Sequence, residues 1–260
     1  MYVKQKTKLK ENIRMEIKIA ETSLNLRVEK RFGKVNSDYL LSKDVAEKQL
    51  KLGADLYCNV EYMECNDAKY METFDEAGYV LYKGLDALNQ RGILCMVRKE
   101  YPVRLINMFE DPHMLHIQVE KDGKKIDVVT VRILVAGGND ADYIDRKTQW
   151  DKILDYIDSI ENKENLCITG NINHGVISEK YRNDQARRFF NYQMFAESLE
   201  KKDIKVAPID GMSYRGYMKI DHLCTSDKLM VLEAEYLDVF GQHRIIGVPD
   251  HSLIVARVAV

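Results

Sequence analysis

An acidic residue and a histidine stand next to each other near the end of the chain, where a loop meets an apolar strand. Asp250 and His251 lie between Pro249 and Ser252, and the apolar run 253–256 follows directly. A buried strand has no structural need for such a pair at its mouth. A carboxylate can hold a metal ion and an imidazole can hold a phosphoryl oxygen, so the pair predicts a phosphate-cleaving site.

Polar residues also stand at the ends of several earlier predicted strands. They are Asn25, Glu61, Asn171, Asn173 and Asp221. Each is a weak signal alone, because a Gly-Asn-x-Asn sequence is commonly only a turn. Their recurrence in order, at one strand end after another, indicates that distant parts of the chain supply one site.

The hydrophobic pattern predicts many short strands and fewer helices. Strands are expected at 16–20, 55–61, 93–97, 115–119, 126–134, 166–169, 219–223, 229–235 and 252–258. Helices are expected from Ser42 onward, at 145–162 and at 184–201. The turn at 122–125 indicates a hairpin and therefore antiparallel pairing. This favours a two-layer β-sandwich with helices on its outer faces over the alternative, a doubly wound sheet.

Composition sets limits on the class of protein. The 260 residues are 45% hydrophobic and 31% charged, with a formal net charge of -2, which argues against coating of nucleic acid by bulk charge but leaves a local basic groove possible. The five cysteines form no C-x-x-C pair and are expected to be free buried thiols in a reducing compartment. With neither a membrane span nor a signal peptide visible, we expect a cytoplasmic protein.

In their order along the chain, the polar motifs resemble those of the endonuclease/exonuclease/phosphatase superfamily, which has the deoxyribonuclease-like fold. The family's opening Asn matches Asn25, and its strand ending in Gln-Glu matches the strand that ends at Glu61. Its Gly-Asp-x-Asn turn matches 170–173, its Ile-Asp-His strand matches Asp221, and its closing Ser-Asp-His matches 250–251. The combination is specific, although no single motif is.

The resemblance covers 15–260 and implies one domain there, preceded by a lysine-rich N-terminal extension over 1–14. It implies an α+β protein, a four-layer α/β-sandwich of two packed, mostly antiparallel β-sheets flanked by helices. Arg146 and Gln149 also match the family's Arg-x-x-Gln at the start of a helix.

The resemblance further assigns roles around a divalent metal. Asn25 and Glu61 would hold the ion and its water, with Glu61 the most direct ligand and Asp250 a second carboxylate. The cofactor implied is Mg²⁺ or Mn²⁺, which fits because an incomplete shell of oxygen ligands favours these ions over zinc.

The catalytic roles follow from the same resemblance. Residue 171 would orient and deprotonate the attacking water, and Asn173 would steady the transition-state phosphoryl oxygen. His251 would bind the phosphate, and Asp221 beside it would orient the imidazole and raise its pKa.

Two departures from the family pattern bear on activity. The family's Asp is Asn171 here, and an amide cannot accept a proton as a carboxylate does, so turnover would fall by about 10²–10⁴-fold. Asn171 is then either natural in a weak or silent protein, or a deliberate Asp→Asn exchange, which the intact neighbouring motifs favour. Arg132 stands where many members carry His; it can bind phosphate but cannot donate a proton, or it is simply a strand residue outside the site.

Aromatic residues interleaved with arginines predict where substrate binds. Tyr214, Arg215 and Tyr217 precede Asp221 in a loop that should border the site, and such stacking suits a base and its phosphate. The similar stretches at 181–182 and 187–190 are weaker, because phenylalanines there suit a helix core.

Three functions are compatible with these residues. The first is a Mg²⁺-dependent phosphoester hydrolase, a nuclease or nucleotide phosphodiesterase with a nucleic acid or nucleotide as substrate. The second is a phosphatase of small molecules, inositol phosphates or lipid head groups. The third is a catalytically silent module of the same fold that binds nucleic acid or protein.

Overall fold

The structure is a computed structural model that describes residues 15–24, 42–62, 67–84, 92–177, 186–241 and 249–260. The predicted N-terminal extension and the predicted metal ligand Asn25 lie outside these residues. In chain order the elements are β1 (Glu16–Ser23), α1 (Ser42–Leu50), β2 (Leu56–Tyr62), α2 (Ala68–Glu76), β3 (Tyr79–Lys83), β4 (Gly92–Arg98), β5 (Val103–Glu110), β6 (His113–Lys121), β7 (Lys124–Arg132), α3 (Asp140–Ser159), β8 (Leu166–Ile177), α4 (Tyr192–Glu200), β9 (Ile204–Val206), β10 (Met218–Ser226), β11 (Met230–Leu237) and β12 (Leu253–Ala259).

The strands form two six-stranded sheets. The first sheet has the order β11-β12-β1-β2-β4-β3 and the second has the order β5-β6-β7-β8-β10-β9. Only the pairs β1–β2 and β7–β8 are parallel among the described pairings, and the others are antiparallel. The predicted mostly antiparallel pairing is therefore confirmed, and the doubly wound alternative is excluded.

Three apolar layers hold the sandwich together. The central layer lies between the sheets and includes Ile19 and Val128. Helices α1 and α2 cover the outer face of the first sheet, where Phe74 is buried, and α3 and α4 cover the outer face of the second, where Trp150 is buried. The predicted four-layer α/β-sandwich is confirmed.

In strand β1, successive side chains point to opposite faces, so that every second residue faces the central layer. Ile17 and Ile19 face the other sheet, whereas Ala20 and Leu24 pack beneath the helices. The same alternation turns the later residues of the strand, Glu21 and Ser23, toward the central layer, and both are buried. The strand thus begins as ordinary core and ends with polar groups.

The hairpin between β6 and β7 forms where it was predicted. Asp122 and Gly123 have φ angles of 52° and 72°, and Lys121 pairs with Lys124 across the turn. Two consecutive positive φ angles match the twist of the flanking strands, which is why Asp-Gly suits this turn.

Several element boundaries differ from the prediction. Helix α3 begins at Asp140 rather than 145, because the side chain of Asn139 caps it by accepting from the Asp142 N–H. The helix expected over 184–201 is shorter, since α4 starts at Tyr192 after a 3₁₀ turn at Ala186–Arg188. The sequence at 170–173, read as a turn, belongs to β8.

Two glycines of β8 lie where a side chain would collide with a neighbouring strand. A Cβ on Gly170 would lie 2.0 Å from the Val131 carbonyl oxygen, and one on Gly175 would lie 1.6 Å from that of Lys219. These close approaches let β8 follow its neighbours through an irregular stretch opposite β10.

We expect Gly175→Ala to lower the free energy of unfolding by about 3 kcal/mol, at the upper end of typical overpacking costs. The matched control is Gly137→Ala, where nothing lies within 4 Å of the added methyl group. Urea denaturation measures both, and equal midpoints for the two variants would contradict the close approach.

No helix in the described part of the chain is long and apolar enough to cross a membrane. Four of the cysteines, Cys58, Cys95, Cys167 and Cys224, are buried and free, as predicted, and Cys65 lies outside the described residues.

Candidate active site

The centre of the site is a hydrogen-bonded pair that joins the two sheets. His251, just before β12 in the first sheet, shares a 2.7 Å hydrogen bond through Nδ1 with Asp221 Oδ2 on β10 of the second sheet. Ser23 on β1 donates to the other oxygen of Asp221 at 3.0 Å. The pairing predicted for Asp221 and His251 is present in the structure.

Burial and charge together fix the ionisation of this pair. Burial alone would lower the pKa of His251, but the charge and hydrogen bond of Asp221 outweigh it and raise that pKa, with help from Asp250 and Glu61. Burial would raise the pKa of Asp221, but the His251 charge, with hydrogen bonds from His251, Ser213 and Ser23, lowers it. Both shifts favour an imidazolium against a carboxylate, and His251 Nε2 lies 3.9 Å from Asp250 Oδ1.

Asn171 is tied into this pair through Ser23. Its Oδ1 accepts from the Asn173 backbone N–H at 2.7 Å, and its Nδ2 donates to Ser23 Oγ at 3.2 Å. Because a backbone N–H can only donate, the oxygen of the amide must face Asn173, and the amino group must face Ser23. The Asn171 side chain therefore has a defined orientation, in which it donates one hydrogen bond and accepts another.

Asn173 is held by its own side chain rather than aimed freely at a substrate. Its φ of 51° is left-handed, and its Nδ2 donates to the Ile133 carbonyl at 2.6 Å. Its carbonyl accepts from Arg146 Nη1 at 2.8 Å. Residue 173 lies beside Asn171, and the role of its amide toward a phosphate stays a prediction.

Glu61 reaches the site because its strand contains one extra residue. Asn59 pairs with Leu94 and Tyr62 pairs with Gly92, so three residues of β2 advance against two of β4. Glu61 has a φ of 56°, which marks such a bulge and turns its side chain toward the second sheet.

In that position Glu61 meets Arg132 of β7. Arg132 Nη2 lies 3.3 Å from Glu61 Oε1, and both side chains are buried. Arg132 therefore contacts the predicted metal ligand Glu61, and its role toward a phosphate stays a prediction. His113, which pairs with Arg132 across β6 and β7, is buried next to it and was not predicted.

Asp250 is bound by the loop that was predicted to contact substrate. Arg215 Nη2 donates to Asp250 Oδ2 at 3.0 Å, and its guanidinium lies 4.6 Å from the centroid of the Tyr214 ring. The Tyr214 ring in turn lies 4.7 Å from the His251 ring and 5.8 Å from the Tyr217 ring. The structure thus places Arg215 next to Asp250 and Tyr214 next to His251, with Tyr217 against the Tyr214 ring.

The charges of Glu61 and Asp250 both affect the pKa values of His251 and Tyr214. The charges of both carboxylates raise the pKa of His251. Burial first, and then Asp250 among the nearby charges, raise the pKa of Tyr214 to about 12, with Glu61 contributing. Both carboxylates therefore lie near His251 and Tyr214, and their joint role toward a metal stays a prediction.

Helix α3 fastens the loops around the site. Arg146 hydrogen-bonds Asp142 Oδ2 and the Asn173 carbonyl, and Gln149 Oε1 accepts from the Leu134 N–H at 2.8 Å. Asp142 also accepts from the Ala136 N–H at 2.7 Å. The Arg-x-x-Gln pair therefore positions the segments after β7 and within β8.

Two further histidines are structural. His174 Nε2 lies against the Phe190 carbonyl and His222 Nε2 lies 2.8 Å from the His174 carbonyl. Burial lowers the pKa of each to about 4. They are satisfied, neutral core groups on the outer side of the second sheet.

Glu61 and Asp250 are the carboxylates available to the implied Mg²⁺. No group of three or more His, Cys, Asp or Glu side chains in the described residues is arranged to hold a metal. Mg²⁺ usually takes only one or two protein carboxylates, with waters and phosphate oxygens as its other ligands. Glu61 and Asp250 satisfy that requirement in number and chemistry, although each is paired with an arginine.

Some functional residues could not be found from the sequence. Ser23, which joins Asn171 to Asp221, is one buried serine in a strand. Ser213 accepts from the N–H groups of Ile220 and Asp221 at 2.9 and 3.1 Å. The only signal for Ser23 was its place two residues before Asn25.

Comparison with known proteins identifies the fold. No family model and no curated protein matches the chain. An endonuclease/exonuclease/phosphatase from Beutenbergia cavernae superposes with a TM-score of 0.65 at 15% identity, over 94% of this chain and 72% of that one. ANGEL2, a 2′,3′-cyclic phosphatase in complex with adenosine-2′,3′-vanadate, gives a TM-score of 0.64 at 12% identity, over 95% and 96%.

A third solved structure is D. rerio TDP2 complexed with single-strand DNA product, with a TM-score of 0.56 at 13% identity over 94% of this chain and 99% of that one. The chain has the fold of the endonuclease/exonuclease/phosphatase proteins. The fold expected from the motif resemblance is confirmed.

Proposed function

We propose that this chain is a phosphoester hydrolase of the endonuclease/exonuclease/phosphatase superfamily, acting on a nucleic acid or nucleotide. The observation that carries the proposal is the imidazolium–carboxylate pair of His251 and Asp221, with two carboxylates and two arginines around it. This charge pattern suits a phosphoester, whose non-bridging oxygens gain negative charge as the bond is cleaved.

The chain's own residues supply cations for the phosphate. His251 offers Nε2, which lies 3.9 Å from Asp250 Oδ1, while Asp221 holds Nδ1 and fixes the ring. Arg132 and Arg215 offer guanidinium groups, which bind phosphate oxygens in a fixed, forked geometry. Arg132 now bonds Glu61 and Arg215 now bonds Asp250. If both arginines bonded a phosphate instead, the two guanidinium groups would neutralise its charge.

We propose that Mg²⁺, or Mn²⁺, is held by Glu61 and Asp250, with Asn25 as a further ligand. Bound there, the ion would supply an activated water and neutralise phosphate charge. A metal would compete with Arg132 and Arg215 for these carboxylates, so loading should free the two guanidinium groups for the substrate.

A nucleotide-containing substrate is favoured by the aromatic rim. Tyr214 lies beside His251, with Tyr217 and Arg215 against the Tyr214 ring, an arrangement that suits stacking of a base next to its phosphate. The adenosine-2′,3′-vanadate bound by ANGEL2 and the DNA product bound by TDP2 support the same substrate class.

The test is a substrate panel with purified protein, with and without Mg²⁺. Single-stranded DNA, duplex DNA, RNA and inositol phosphates are incubated separately, and products are separated by chromatography. We expect Mg²⁺-dependent cleavage of a nucleic acid; cleavage of inositol phosphates alone would identify a small-molecule or lipid head-group phosphatase instead.

A catalytically silent binding module is the second candidate, and Asn171 favours it. Its amide is a donor toward Ser23 and cannot take a proton from water. Nucleic-acid binding without cleavage of any member of the panel would support this candidate.

Glu61→Ala is expected to abolish metal binding at the site, because it removes the most direct proposed ligand. Calorimetric titration with Mn²⁺ measures the affinity. Asp55→Asn is the matched control, since Asp55 pairs with Arg98 just before the start of the same strand. Metal affinity that is unchanged in Glu61→Ala would reject the assignment.

Glu61 also neutralises a buried arginine, so stability is measured alongside affinity. Removing one partner of a buried ion pair costs about 3–5 kcal/mol. The double variant Glu61→Ala/Arg132→Met removes both charges and should regain part of that loss while still failing to bind metal.

A further inference from the structure

A carboxylic acid lies buried beneath the Asp221–His251 pair. Glu21 is 0% exposed and sits on the inner face of β1, two residues before Ser23. Its cross-strand neighbours are Cys58 on β2 and Ile254 on β12. The position belongs to the central layer, where β1 also places Ile17 and Ile19.

Neither carboxyl oxygen of Glu21 has a hydrogen-bond partner among the described residues. Asp221, buried to the same degree, has His251 on one oxygen and Ser23 on the other. A buried charge without partners costs several kcal/mol, whereas a neutral carboxyl costs far less.

Among the described residues, the groups around Glu21 supply no compensating cation. Asp221 on β10 carries a negative charge, and Tyr236 on β11 and Cys58 on β2 are neutral. The charge of His251 is already paired with Asp221. Lys219 on β10 lies over the Tyr236 ring and donates to the Ile209 carbonyl instead.

We propose that Glu21 is a positioning residue, held as a neutral carboxylic acid so that Asp221 alone carries the negative charge that orients His251. Burial first, and then the charge of Asp221, raise the pKa of Glu21 well above its ordinary value, which supports this assignment. The effect of Glu21 on turnover rests on the proposed hydrolase function; its protonation does not.

The first test measures stability against pH. Between the ordinary pKa of a glutamate and the raised pKa of Glu21, the folded chain binds one more proton than the unfolded chain, so stability is lost as pH rises. The Glu21→Gln variant has no such proton. We expect the ratio of its folding equilibrium constant to that of the parent to rise about tenfold per pH unit above about pH 4.5.

Urea denaturation at successive pH values gives this ratio. Glu21→Leu, also neutral, should show the same trend even if Gln packs poorly. Glu16→Gln is the matched control, because Glu16 lies on the same strand and is exposed, with its only described ion pair to Arg257. A ratio for Glu21→Gln that does not change with pH would overturn the proposal.

The second test measures kcat/KM against pH with the substrate identified by the panel. Ionisation of Glu21 would place a second negative charge beside Asp221, so the parent should lose activity as pH rises through the raised pKa of Glu21, whereas Glu21→Gln should not. Identical profiles would overturn the positioning role, even if the stability ratio changes. Absence of turnover in every form would overturn the proposed function, and the stability ratio alone would then decide whether Glu21 is held neutral.

Discussion

Asn171→Asp is expected to raise phosphoester turnover by about 10²–10⁴-fold, the range typical of a positioned general base. A carboxylate at this position can accept a proton from the attacking water, whereas the amide cannot. One carboxylate oxygen would keep the Asn173 N–H as donor, so the new group would be held where Asn171 is held now.

The same substitution should destabilise the chain. The second oxygen would face Ser23 Oγ, whose single proton is already given to Asp221. Two buried carboxylates would then compete for one donor, and we expect a loss of about 1–3 kcal/mol, the cost of an unsatisfied buried group. Denaturation with urea measures this loss beside the kinetic gain.

Initial rates with the best substrate of the panel decide the kinetic outcome. Asn191→Asp is the matched control, because Asn191 caps α4 by accepting from the Met194 N–H, which an aspartate does equally well. If the parent turns over substrate and Asn171→Asp is slower, then Asn171 is the working residue and the base lies elsewhere.

His251→Ala is expected to abolish turnover with the fold retained, measured in the Asn171→Asp background if the parent is silent. The substitution removes the imidazolium proposed to bind the phosphate. Full turnover in this variant would count against the assignment of His251.

The loss of stability in His251→Ala should depend on pH. The raised pKa of His251 means that its contribution is present at low pH and is lost as pH rises through that value. The lowered pKa of Asp221 means that its contribution is present above its ordinary pKa and is lost as pH falls through the lowered value. The destabilisation should therefore be largest above the ordinary pKa of an aspartate and below the ordinary pKa of a histidine.

A second His–Asp pair in the chain provides the control. His116 and Asp127 lie 3.0 Å apart on the outer face of the second sheet, next to Tyr156 and away from His251. His116→Ala should lower stability but leave kcat/KM unchanged, so comparing the two variants separates the loss of a buried pair from the loss of a phosphate ligand.

The fold could be predicted from the sequence because the hydrophobic alternation and the Asp-Gly turn are local signals. The placing of both Asp250 and Glu61 near His251 could be predicted only from the order of motifs. The bulge at Glu61 could not, because strict alternation from Leu56 would turn residue 61 toward the helices. The Glu61 side chain points to the other side of the sheet because of how β2 pairs with β4, and no local pattern specifies that pairing.

The hydrogen-bond partners of the predicted residues could not be found from the sequence either. Ser23 and Asp221 are 198 positions apart in the chain, and Arg132 and Glu61 are 71 apart. Contacts of this kind appear only when the sheets are stacked. Glu21 gave no signal because an acid within an alternating strand usually faces solvent.

The hydrogen bonds at the centre of the site run from one sheet to the other: His251 to Asp221, Ser23 to Asp221, Asn171 to Ser23, and Arg132 to Glu61. Neither sheet by itself contains both partners of any of these hydrogen bonds. Slippage of the halves by a single strand spacing, about 4.8 Å, would separate all of these partners at once. The proposed turnover would therefore require the two sheets to be docked. It would be lost when the sheets separate, even if each sheet kept its own backbone hydrogen bonds.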